Sequence, residues 1–65
     1  MDDALLEYHM KKQGVTIADL CQELGISRSA LYRKRTGKSE FTQGEIQKIV
    51  DVLNLNSPVP IFFAQ

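Results

Sequence analysis

The chain has 65 residues, 43 % of them hydrophobic and 25 % charged, with eight Lys and Arg against eight Asp and Glu. This length suits one small domain over residues 1–65 without room for a second ligand-sensing unit, and a lone cysteine excludes an internal disulfide. The longest apolar stretch falls far short of the roughly 20 residues that cross a bilayer. The acidic start Met1-Asp2-Asp3 is unlike a signal peptide, so a cytoplasmic protein with no membrane partner is expected.

The first helix is expected from residue 3 to about residue 12. It carries Leu5, Leu6, Tyr8 and Met10, with acids at the positive end of the helix dipole and Lys11 and Lys12 at the negative end. Gln13-Gly14 closes it. Thr16 then caps a second helix whose Ile17, Leu20, Cys21 and Leu24 recur at i, i+3, i+4 and i+7 and so share a buried face. Gly25 stops that helix, because the chain needs a left-handed residue there and glycine supplies one without a Cβ clash. Ile26 precedes the cap Ser27, and Leu31 sits four positions after Ser27, placed to staple back onto Ile26. A third helix therefore starts at once. Two helices joined by so short a turn cross steeply and leave the outer face of the second free for a DNA groove, the layout of a helix-turn-helix.

Thr36-Gly37-Lys38 ends the third helix by the same glycine logic, and a loop leads to Phe41. Thr42-Gln43-Gly44-Glu45 is a capping box flanked by Phe41 and Ile46 as a hydrophobic staple, and Ile46, Ile49, Val50 and Leu53 give the fourth helix its apolar face. Asn54 to Asn56 form a break. Ser57-Pro58 suits a cap and first turn for a short last segment with Val59, Ile61, Phe62 and Phe63, at residues 56–65 a helix or a tail. With no strand alternation, repeat or low-complexity run, the fold class expected is all-α, a compact bundle of four to five helices.

Charge is unevenly spread. Arg28, Arg33, Lys34, Arg35 and Lys38 are five of the eight cations, and no acid lies between Glu23 and Glu40. Residues 1–26 carry a net charge of −3 and the remainder +3, so the neutral total hides a dipolar molecule. For nucleic acid the local patch decides, because phosphate neutralisation acts within a Debye length of roughly 8 Å.

From Gly14 to Arg33, with Gly37-Lys38 after it, the sequence resembles the phage-repressor and Cro helix-turn-helix family, also called XRE; the resemblance covers about fifty residues. It implies a lambda-repressor-like DNA-binding fold with the third helix in the major groove. Arg28, Ser29, Tyr32 and Arg33 fall at the family's base-reading and adjacent positions. Arginine can address guanine O6 and N7 with two parallel hydrogen bonds, and Arg28 is the leading candidate. Tyr32 suits a thymine methyl or a phosphate, and Ser29 a base or the backbone. Phosphate contacts are implied for Lys38, for the loop through Ser39 with its backbone amides near Gly37, and for Thr16, with Ser27, Lys34 and Arg35 as further candidates.

The chain departs from the family at several positions. Ile17 stands where glutamine commonly contacts phosphate and braces the reading helix, and Cys21 where alanine is frequent. Many members also pair Arg and Glu between the first and third helices at the positions of Met10 and Arg35. With neither partner present, Arg35 is expected to face solvent or phosphate and Met10 to serve as an apolar filler. Cys21 reads as a small buried hydrophobe before it reads as a redox sensor. His9 has no second ligand at i+4, so no metal is expected.

No nucleophile, base and acid constellation appears, so the chain is not expected to be an enzyme or to use a cofactor or small-molecule ligand. Among Val59, Ile61, Phe62 and Phe63, Phe62 or Phe63 is expected to close the core and whatever remains exposed to form a homodimer contact, so the partner expected is a double-stranded, near-palindromic operator bound by a repressor of phage or mobile-element type working at the host nucleoid. The alternative is a protein-interaction module, such as an antirepressor or antitoxin, that keeps the fold without binding DNA.

Overall fold

In the computed structural model, which describes residues 1–63, five helices follow one another: α1 (Asp3–Gln13), α2 (Ile17–Leu24), α3 (Arg28–Arg35), α4 (Gln43–Val52) and α5 (Val59–Phe62). The four longer ones begin on side-chain caps. Asp2 Oδ1 accepts from Leu5 N at 3.0 Å, Thr16 Oγ1 from Asp19 N at 3.1 Å, Ser27 Oγ from Ala30 N at 3.1 Å and Thr42 Oγ1 from Glu45 N at 3.1 Å. At Thr16 and Thr42 the carboxylate three residues on bonds back to the cap's own amide, so both helices start with a complete capping box.

The same four helices end alike. After each, one residue takes positive φ, and the amide beyond it reaches back to a carbonyl in the last turn: Val15 to Met10, Ile26 to Cys21, Lys38 to Arg33 and Leu55 to Val50. This is the Schellman closure. The left-handed residue is Gly14, Gly25 or Gly37 in three cases and Asn54, at φ 55°, in the fourth. The Asn54 break thus has a definite geometry that its sequence only outlines.

These stops bend the chain often enough for every helix to contribute to one core of Leu6, Met10, Leu20, Cys21, Leu24, Leu31, Ile49, Leu53 and Ile61, with Val15, Ile17, Ile26, Phe41 and Phe62 partly buried around it. Helix α2 packs on both α3 and α4, and α5 packs on α1. Met10 fills the core as expected, and Cys21 is a buried free thiol. The fold class is all-α, as the periodicity indicated.

The last segment differs from expectation. Ile61, expected at a dimer contact, is 1 % exposed and belongs to the core. Its carbonyl accepts the Asp2 amide at 2.6 Å, which ties α5 to the start of α1 and turns residue 61 inward. Phe62 is half-buried, edge-on to Phe41 with ring centroids 5.4 Å apart, while Val59 and Phe63 remain 54 % and 58 % exposed. Among the described residues no helix is long and apolar enough to cross a membrane.

Candidate nucleic-acid interface

Helix α3 is two turns long, and its period sorts its side chains by direction. Leu31 points into the core, and Arg28, Ser29, Tyr32 and Arg33 lie on the exposed side, with Tyr32 61 % exposed. Ile26 and Leu31, the expected staple pair, anchor the two sides of the turn that sets the angle between α2 and α3.

The loop after α3 folds back onto it. Gly37 takes φ +83°, and the amides of Lys38 and Ser39 both donate to Arg33 O, at 2.8 and 3.2 Å. Lys38 Nζ is thereby brought to 5.8 Å from the centroid of the Tyr32 ring, within reach of a cation–π attraction. Arg28, Ser29, Tyr32, Arg33 and Lys38 together line one shallow open depression of about 430 Å³.

The other candidates are placed elsewhere. Lys34, expected at phosphate, points to α4: its ammonium lies 2.9 Å from Glu45 Oε1 and 3.0 Å from the Glu40 carbonyl, with its side chain 13 % exposed. Arg35, expected in solvent or at phosphate, instead makes a two-pronged pair with Asp3, Nε to Oδ1 at 2.7 Å and Nη2 to Oδ2 at 3.0 Å, with Glu7 at 3.9 Å. The reason is the acidic start of α1, which places a carboxylate beside the end of α3 with the right geometry for a guanidinium fork. Helices α1 and α3 are thus linked by an ion pair after all, through Asp3 and not through the position of Met10.

The backbone amides expected to clamp phosphate after α3 are also committed, since those of Lys38 and Ser39 close the helix. Ser39 and Thr36 line a different groove, of about 550 Å³, floored by Phe41, Ile46 and Phe62. Ser27 and Thr16 are exposed, but their hydroxyl oxygens serve as caps, and the Thr16 amide donates to Asp19 Oδ2 at 3.0 Å. That hydrogen bond holds the Asp19 carboxyl below its ordinary 3.8. The start of α2 therefore presents an anion and not an open amide.

Thr16-x-x-Asp19 is a capping signal legible in the sequence and overlooked there in favour of Thr16 alone. Asp3 and Glu45, partners of the two basic residues, carry no local signal of that pairing. They are 32 and 11 residues from the groups they bind.

A helix-turn-helix with an exposed second helix and cations gathered along one side has the architecture for a DNA groove. Comparison with known proteins agrees. No curated protein and no solved structure matches the chain. The model of the Cro/C1-type HTH DNA-binding domain matches residues 6–58, from the first turn of α1 to the edge of α5, and the chain belongs to that family.

Proposed function

We propose that this chain is a sequence-specific regulator that sets α3 in the major groove of duplex DNA, with Arg28 reading guanine and Ser29, Tyr32 and Arg33 completing the contact. The observation that carries this reading is the shared depression of Arg28, Ser29, Tyr32, Arg33 and Lys38. Its three cations make no ion pair with any described residue. Lys38 supplies a phosphate contact beside the reading helix, setting register without reading sequence. Ser27, whose hydroxyl proton is free while its oxygen caps α3, is a secondary contact to the backbone.

We propose further that it acts by occupancy, as a small repressor of phage or mobile-element type that covers an operator and excludes polymerase. Exposed Val59 and Phe63 favour a homodimer, which would read half-sites about 34 Å apart.

The test is the salt dependence of duplex binding. With Arg28 at a base edge, the two remaining cations, Arg33 and Lys38, neutralise two phosphates per chain and give log K against log salt a slope near −1.8, and Lys38→Ala brings it to about −0.9. A slope near zero in the unaltered chain would overturn the reading in favour of a protein partner.

A further inference from the structure

Five cations cluster in and just after α3, yet only three face outward. The two that do not are held in different ways. Lys34 is turned toward α4, with Glu45 and a backbone carbonyl around it. Arg35 follows Arg28 by seven residues, just under two helical turns, so it stands in the same row as the leading base-reading candidate. Position alone would send it to a phosphate. Asp3, with Glu7 one turn further along α1, draws it back.

We infer, on the basis of the duplex-binding role proposed above, that Asp3 and Glu7 are specificity-determining residues that do not touch DNA: they withhold Arg35 from the phosphates and so lower binding to wrong sequences. A guanidinium stays charged at any pH a protein survives, so its availability is set by its acidic neighbours. Non-specific affinity is built almost wholly from phosphate contacts, whereas specific affinity also draws on base edges. Removing one cation from the phosphate set therefore weakens wrong-site binding proportionately more than operator binding. The same pair ties the end of α3 to the first turns of α1.

The experiment measures binding to a duplex of scrambled sequence by fluorescence anisotropy between about 50 and 200 mM salt. It compares the unaltered chain with the double variant Asp3→Asn, Glu7→Gln and with Arg35→Ala, each well below its melting temperature. The double variant is expected to bind scrambled DNA several-fold more tightly, with a slope steeper by about 0.9 per chain. Arg35→Ala should keep the original slope, because Arg35 contributes no phosphate contact in the unaltered protein. Lost stability alone would move neither slope.

An unchanged slope in the double variant, or a slope flattened by about 0.9 in Arg35→Ala, would overturn the inference. A flat slope in the unaltered chain that becomes steep in the double variant would leave the withholding of Arg35 standing and overturn the DNA-reading role. Flat slopes in both would overturn both.

Discussion

Lys34 on α3 and Glu45 on α4 form an ion pair 2.9 Å long, with side chains only 13 % and 15 % exposed. Burial alone would raise the Glu45 carboxyl. The hydrogen bond from the Thr42 amide and the pairing with Lys34 outweigh it and hold the group below its ordinary 4.5. A carboxyl depressed by folding adds stability that is present above its unfolded value and is lost as pH falls through its folded value. Glu45→Gln keeps a side chain able to complete the capping box and removes the charge. It should cost about 1 kcal/mol at pH 7, near the top of the range for an ion pair that is not fully buried. Urea unfolding of both chains should show that difference shrinking steadily below pH 4.5. A constant difference down to the acid limit would mean that the loss comes from packing.

Gly25 gives a backbone test of the turn. A Cβ built on it meets nothing within 4 Å, so the cost of alanine there lies in the left-handed φ of +67° and not in a clash. Gly25→Ala should destabilise by about 1 kcal/mol and lower the melting temperature by about 4–8 °C in a domain of this size. A thermal melt with no shift would show that the turn relaxes freely.

The local features of the fold were legible because their causes are local. Thr16, Ser27 and Thr42 announce helix starts through bonds three residues long, and Gly14, Gly25 and Gly37 announce stops through a property of one residue. The outward face of α3 followed from the period and the charge. What the sequence could not reveal depends on helices meeting in space. Arg35 and Lys34 looked like members of the phosphate-binding set until the start of α1 and the first turn of α4 were laid against α3. In the four-residue α5 no period exists to say which apolar residue faces inward, and it is Ile61 that enters the core, its carbonyl accepting the Asp2 amide, while Phe63 stays exposed.

Phe63 provides the test of assembly, since with Ile61 in the core the proposed dimer contact reduces to Val59 and Phe63, edged by Phe62. An exposed aromatic contributes little to a monomer's stability, so Phe63→Ser should leave the thermal melt almost unchanged. Sedimentation equilibrium at tens of micromolar should show the unaltered chain associating and the variant shifted toward monomer. Monomer alone in both, free and on DNA, would remove the dimer and the palindromic operator with it.

Base reading by Arg28 is the claim on which the rest depends, and selection from random duplex DNA, run in parallel with the unaltered chain and Arg28→Ala at moderate salt, tests it most directly. The account predicts an enriched motif that loses preference at one position per half-site in the variant, by about 1–3 kcal/mol of discrimination, while the neighbouring positions persist. The same motif from both chains would take Arg28 out of the base-reading set, and no enrichment from the unaltered chain would contradict sequence-specific binding altogether.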